Sequence, residues 1–223
     1  MIAIGFYTPD YAALAHQFRA DCIQHDIDSK LYEVLPEAWT RAILLKPSIL
    51  QKARQEFPDE SIALFDIDCR IHGPIAPIFD LPGDIALHQR CKLVMRRRVK
   101  RATVWPSTRV VVVRPTKEAD FLLAAWRQAC AAEAEKPDPY DDELLLAYAI
   151  SQTPGVSISM LPDIYAAHEF DEAPDGAVIV HHSAHDRARK SVTFWRGVKV
   201  LRRKAVSALT GRDYATRKYQ VSK

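Results

Sequence analysis

A chain of 223 residues, 48% hydrophobic and 26% charged, holds enough apolar material for one globular domain with a sizeable core, or such a domain with a short appendage. Seven glycines against fourteen prolines argue against a Gly-rich, disordered or fibrous chain, and no apolar run approaches the roughly 18–20 residues of a membrane span. The formal charge of +3 is unevenly spread: from Arg187 onward there are twelve Lys and Arg against the single acid Asp213, and the chain before that point carries a net −8.

In chain order, Ile2 to Tyr7 reads as a first strand. Pro9-Asp10 then opens a helical stretch with Leu14, Phe18 and Cys22 at helical spacing. Leu31 to Val34 is a second strand, and Pro47 suits the first turn of a helix that turns Ile49, Leu50 and Ala53 inward. Ser61 to Phe65 is a buried strand, Asp84 to His88 a fourth, and Val110 to Val113 a fully buried one. Between the last two lies a basic stretch, Arg90 to Arg101, centred on Arg96-Arg97-Arg98, which is expected to form a loop near a ligand. Ala119 to Ala134 is helical, with Phe121, Leu122 and Trp126 on one face. Lys136-Pro137-Asp138-Pro139 breaks it, and Asp141 or Asp142 caps the next helix. Ile158 to Leu161 and Ala177 to Val180 close the series as short strands. Strands alternating with helices predict an α/β fold with a largely parallel sheet, whose ligands bind outside the carboxyl ends of the strands. The four cysteines are scattered without a CxxC pair and the first residues lack a basic-then-apolar leader, so a reducing cytoplasm is the expected setting.

The chemistry concentrates at Phe65-Asp66-Ile67-Asp68. Two acids separated by one residue, where a buried strand gives way to a loop, can meet at one cation, and carboxylates suit Mg²⁺ or Mn²⁺ with the phosphates of a nucleotide. Acids in such a loop also serve as plain caps and turn residues. His181 and His182 follow the strand pattern Ala177 to Val180, and Lys46 stands before Pro47. Asp141, Asp142 and Glu143 fit the start of a helix, where the dipole favours acids.

The order of these features resembles the GT-A-type glycosyltransferases, the nucleotide-diphospho-sugar transferase group. Phe6-Tyr7-Thr8 followed by Tyr11 is similar to the opening strand and turn on which the nucleotide base rests. Trp39 with Lys46-Pro47 resembles a Trp…Lys-Pro stretch before a helix, and Asp66-Ile67-Asp68 resembles the DxD motif. Ser107-Thr108 is similar to a Ser-Gly-Thr without its Gly. Trp126, ending a helix, precedes Asp142-Glu143-x-x-Leu146, which resembles a recurrent Asp-Glu-x-x-Leu, and Val178 to His182 resembles a late strand whose histidine completes a metal site. The resemblance implies a GT-A-like catalytic domain over residues 1–188, with a Rossmann-like, mostly parallel sheet flanked by helices, and a basic helical extension over 189–223. It implies transfer of a sugar from a nucleotide diphosphate donor, with uridine the usual nucleotide, to a hydroxyl acceptor such as a glycan. Asp68 would be the most direct metal ligand, and Asp66 would bind the ribose, the metal or a metal-bound water. His181, or His182 in its place, would add a nitrogen, leaning towards Mn²⁺ over Mg²⁺. Lys46 and one or more of Arg96, Arg97 and Arg98 would offset phosphate charge. Asp142, or Glu143, would take the acceptor proton if configuration is inverted.

Two other readings compete. Leu64 to Asp68 also resembles the first motif of haloacid-dehalogenase-type phosphatases, with Asp66 as nucleophile, although Cys69 and Arg70 stand where that family has Gly and Thr or Val. A non-catalytic protein acting through the basic tail is the third reading. There Phe194, Trp195, Val198, Leu201, Val206 and Leu209 mix with Lys and Arg in a pattern that suits peripheral contact with an anionic membrane over 190–223. The tail has no recognisable RNA-binding signature, so nucleic acid is not the expected partner.

Overall fold

A computed structural model describes residues 1–36, 38–96, 99–168 and 174–182. The basic extension expected over 189–223 lies outside these residues, as do Arg97 and Arg98. Among the described residues, no helix is long and apolar enough to cross a membrane.

The chain begins with β1 (Ile2–Tyr7), α1 (Ala12–Gln24) and β2 (Ser29–Glu33), then α2 (Trp39–Ala42), α3 (Lys46–Glu56) and β3 (Ile62–Phe65). The short β4 (Cys69–Ile71) and α4 (Ala76–Phe79) follow, then the long β5 (Ile85–Arg96) and β6 (Val99–Val113). The remainder is α5 (Lys117–Ala134), α6 (Asp142–Gln152), β7 (Ile158–Met160), β8 (Ala167–His168) and β9 (Ile179–His181). The main sheet has six strands in the order β2-β1-β3-β6-β5-β7. β1 pairs in parallel with β2 and β3, and β5 with β7, while β6 runs against both its neighbours. Five strands therefore share one direction, as the α/β expectation required. A second small sheet, β4-β9-β8, stands beside it.

The central strands are apolar on both faces because both faces are covered. Alternate residues Ile2, Ile4, Ile62, Leu64, Leu87, Val111 and Val113 meet α3, α5 and α6 in one core. Their neighbours Ala3, Ala63, Phe65, Ala86, Val110 and Val112 meet Phe18 and Cys22 of α1, with Ile71, Ile78, Tyr165 and Ile179, in the other. Trp126 lies fully buried within α5 and does not end that helix; its indole fills the first core. Thr116 caps α5 through Ala119 N–H, and Asp141 caps α6 through Leu144 N–H at 2.8 Å.

The segment expected as a basic loop is not a loop. β5 and β6 pair residue for residue from Gln89↔Pro106 to Arg96↔Val99, a hairpin that extends the two strands. The run of charges hid its β-forming residues, Val94, Val99, Thr103, Val104 and Trp105, and the pairing satisfies backbone groups that a loop would leave to water.

Candidate functional site

The site lies at the carboxyl edge of the parallel strands and begins with the seating of Asp66-Ile67-Asp68. Asp66 N–H continues the β3 ladder to Arg109 C=O at 2.9 Å, and the chain then turns, with Cys69 N–H on Asp66 C=O at 3.2 Å. Ile67, between the two acids, packs back over β1 at Gly5. A Cβ at Gly5 would stand 3.2 Å from both Ile67 Cδ1 and Leu31 Cδ2, so the missing side chain is the room that Ile67 uses. β4 follows at once and pairs with β9, setting Cys69 opposite His181, and His182 N–H closes on Asp68 C=O at 3.0 Å. A residue more than a hundred positions downstream is thereby laid against the acidic turn.

One ligand atom from each of Asp66, Asp68 and His181 lies within 4.8 Å of the others. His181 is 2% exposed and neither ring nitrogen has a hydrogen-bond partner. Burial, reinforced by the positive charge of Arg109, holds its pKa well below the ordinary value, so the imidazole is neutral and carries a lone pair. A buried, unpaired imidazole facing two carboxylates is costly unless something takes that lone pair. A divalent cation of the Mn²⁺ or Mg²⁺ class suits the donor set of two carboxylates and one nitrogen. His182 is not part of this cluster.

Behind Asp66 stands Lys46, the first residue of α3 and 5% exposed. Its Nζ reaches Asp66 Oδ1 and Asp142 Oδ2, each at 2.8 Å, and donates to Thr108 Oγ1 at 3.0 Å and Thr108 C=O at 3.3 Å. Thr108 Oγ1 in turn donates to Asp142 Oδ2 at 2.5 Å. Burial would lower the lysine's pKa, but Asp142 and then Asp66 outweigh it and hold the ammonium above its ordinary range. Burial likewise pushes the Asp66 carboxyl up, against the pull of Lys46. The charge of Lys46 is thus matched inside the protein, by two acids from different elements.

Thr108 reaches this network because β6 bulges. Pairing with β5 runs to Leu87↔Val111 and resumes at Gln89↔Pro106, so two steps along β5 face five along β6. The extra residues re-aim three side chains and carbonyls into the site. Ser107 Oγ donates to Glu143 Oε1 at 3.2 Å, Thr108 serves Lys46 and Asp142, and Arg109 C=O receives Asp66. Glu143 also accepts from Arg90 Nη1 at 3.1 and 3.0 Å and from Trp105 Nε1 at 2.8 Å. Asp142 and Glu143, neighbours at the start of α6, therefore serve separate networks: one holds Lys46, the other holds the root of the β5–β6 hairpin.

The residues expected to receive the nucleotide line the β1 side of the same edge. Tyr7 donates to Glu33 Oε2 at 3.2 Å, Thr8 is buried, and Tyr11 N–H binds Thr8 C=O at 2.8 Å. Burial, then the nearby Asp68 and Asp10, push the Tyr11 hydroxyl up, which sets that ring on the Asp68 side. Phe6 packs against the first core. Sequence reasoning missed Arg109, whose charge bears on both Asp66 and His181, and the Arg90–Trp105 partnership of Glu143. Arg109 follows Ser107-Thr108 directly, but nothing in the local pattern announces a bulge there.

No family model and no curated protein matches the chain in sequence. Solved structures do match in fold. One is a glycosyltransferase involved in the glycosylation of the major capsid of PBCV-1, at 18% identity and a TM-score of 0.60, over 86% of this chain and 98% of that one. The bifunctional glycosyltransferase WbbM matches at 9% identity and a TM-score of 0.54, over 82% of this chain and 46% of that one. The glycosyltransferase GlyE of Streptococcus pneumoniae TIGR4 matches at 13% identity and a TM-score of 0.50, over 81% of this chain and 53% of that one. The chain thus spans about half the length of WbbM and GlyE and nearly all of the PBCV-1 enzyme. This likeness does not favour the phosphatase reading of Asp66. The six-stranded, mostly parallel sheet flanked by helices thus shares the GT-A-like fold of these glycosyltransferases.

Proposed function

We propose that this protein transfers a sugar from a nucleotide diphosphate donor, a uridine diphosphate sugar, to an acceptor hydroxyl, with residues 1–188 as the catalytic unit. The observation that carries the proposal is the convergence of Asp66, Asp68 and the unpartnered, buried His181 at the carboxyl edge of a glycosyltransferase-like sheet. Asp66, Asp68 and His181 would hold Mn²⁺ or Mg²⁺. When bound, such a cation supplies Lewis acidity to the departing diphosphate, whose negative charge grows as the glycosidic bond breaks.

The chain's own residues prepare that event. Ile67, seated over Gly5, fixes the spacing of the two acids. Lys46, held by Asp142 and Thr108, pairs with Asp66 at 2.8 Å and aims it, so we assign Lys46 to positioning more than to phosphate contact. Arg109, whose charge bears on Asp66 and His181, would offset that of a diphosphate. Phe6, Tyr7, Thr8 and Tyr11 form the wall for base and ribose. Of the two acids read as proton acceptors, Asp142 is 4% exposed and committed to Lys46, which leaves Glu143 as the candidate for an inverting reaction. For Glu143 to act so, an arriving acceptor must displace one of its donors.

The test is release of uridine diphosphate from a panel of uridine diphosphate sugars with Mn²⁺, by the wild-type protein and by Asp68→Asn and His181→Ala. The proposal expects metal-dependent turnover that falls in both variants by more than the roughly 10–100-fold typical of losing an outer partner of a metal ligand. Turnover at the wild-type rate in either variant, or nucleotide binding indifferent to a chelator, refutes the assignment.

A further inference from the structure

One titratable pair at the same edge belongs to neither network. His88 Nε2 lies 3.0 Å from Asp163 Oδ1. A carboxylate only accepts, so Nε2 carries a proton and Nδ1 stays outside this hydrogen bond. His88 falls at the position skipped by the register between Leu87↔Val111 and Gln89↔Pro106, so it stands opposite the β6 bulge that carries Ser107, Thr108 and Arg109. Asp163 opens the single turn Asp163–Tyr165 that follows β7.

The pair is not needed to fasten that turn. Leu161 N–H binds Leu87 C=O at 2.9 Å, Val178 N–H binds Ile164 C=O at 2.8 Å, and Leu161 and Tyr165 are buried in the second core. A surface contact whose carboxylate side chain is 56% exposed adds little to such anchoring. Two polar groups are instead presented on a backbone already rigid on both sides, which is how binding sites are built.

Its location suggests the ligand. The sheet order places β3, β6 and β5 side by side, so His88 lies two strand spacings, about 10 Å, from Asp66, on the side away from β1 and β2. Given the donor placement proposed above, on which this inference rests, the nucleotide lies over β1 and the diphosphate at Asp66 and Asp68. The transferred sugar then points across β6, and the second substrate enters beyond it. We propose that His88 and Asp163 form the acceptor-side contact, binding neighbouring hydroxyls of a carbohydrate acceptor. One hydroxyl hydrogen-bonds to His88 Nδ1, and another donates to the Asp163 oxygen not engaged by the imidazole. The pair recognises hydroxyls; it breaks no bond.

The experiment uses the full chain with Mn²⁺, UDP-glucose and UDP-galactose as donors, and the methyl α- and β-glycosides of glucose and galactose as acceptors. Wild-type protein, His88→Gln and Asp163→Asn are compared for affinity towards Mn²⁺–UDP, by calorimetry, and for acceptor KM. The proposal expects Mn²⁺–UDP affinity within about twofold of wild type in both variants and an acceptor KM raised by about tenfold or more, with kcat less affected, the mark of lost binding. An acceptor KM within about twofold of wild type in both variants overturns it. So does a wild-type protein that turns over donor while ignoring all four glycosides. Failure of wild-type protein to bind Mn²⁺–UDP instead brings down the donor placement, and this inference with it.

Discussion

Lys46→Met is the most informative single perturbation of the site. The substitution keeps the length of the stem, which lies among buried groups, and removes the ammonium with its charge and its hydrogen bonds. Asp66 Oδ1 and Asp142 Oδ2 both lie 2.8 Å from Nζ, so they are left facing one another without a cation. Thr108 Oγ1 loses one partner as well. Removing one member of a buried charge cluster costs about 3–5 kcal/mol. Asp66 retains some exposure, with 30% of its side chain open, so the lower half of that range is expected, about 3 kcal/mol. In a chain of this size each kcal/mol moves Tm by about 2–4 °C, giving a drop of about 6–12 °C. The sign of the pH response is also fixed. Burial already pushes the Asp66 carboxyl up, and without the ammonium nothing from Lys46 opposes it, so the native state binds more protons than the unfolded one and the variant gains stability as pH falls from neutrality towards the ordinary carboxylate range. Urea unfolding at several pH values measures both effects. Lys46→Met combined with Asp142→Asn relieves the repulsion and should recover part of the loss, as coupled neighbours do. A single variant within about 0.5 kcal/mol of wild type at pH 7, with no pH response, refutes the view that Lys46 neutralises these acids.

Three further outcomes follow. Gly5→Ala puts a methyl 3.2 Å from Ile67 Cδ1 and Leu31 Cδ2, so these side-chain ends must give by a few tenths of an ångström; displacement of Ile67 should lower Mn²⁺–UDP affinity, whereas intact affinity would show that Ile67 does not set the acid spacing. Asp21 is nearly buried, which pushes its carboxyl up, but Arg70 at 2.7 and 3.1 Å, Ile71 N–H at 3.1 Å and Gln17 at 3.0 Å pull it below the usual range. Its contribution to stability is therefore full above the ordinary carboxylate pKa and is lost as pH falls through the lowered one, so Asp21→Asn should destabilise at pH 7 and flatten the acid side of the stability profile measured by thermal unfolding. Asp141→Ala removes the cap on Leu144 N–H and should cost about 1 kcal/mol in urea unfolding, without changing Mn²⁺–UDP affinity, since Asp141 touches neither network.

What the sequence disclosed and what it withheld divide along the range of the forces involved. β1, β3 and the Val110–Val113 part of β6 were legible because strands covered on both faces must be apolar throughout, and Pro47 marked the start of α3 by its fixed φ. The acidic turn was legible because it interrupts such a run. β4 and β8 were missed because three and two residues carry too little period to register, and they exist through pairing with β9. The β5–β6 hairpin was hidden by its charge. Lys46 before a proline carries no local sign of burial; that it is buried depends on Asp142 and on Thr108, which is 62 positions away and re-aimed by a bulge with no local signature. Trp126 stands eight residues before the helix end at Ala134, the end that the Ala- and Leu-rich run had already marked, so placing the helix end at Trp126 came from the resemblance and not from the periodicity.

The central claim is that Asp66, Asp68 and His181 grasp one divalent ion that anchors a nucleoside diphosphate. Crystals grown with MnCl₂ and UDP, measured at the manganese absorption edge, test it directly. The account predicts one anomalous peak within bonding distance of all three side chains, with diphosphate oxygens on its far side. Nucleotide bound at this edge with no peak beside His181, or manganese held elsewhere, would contradict it.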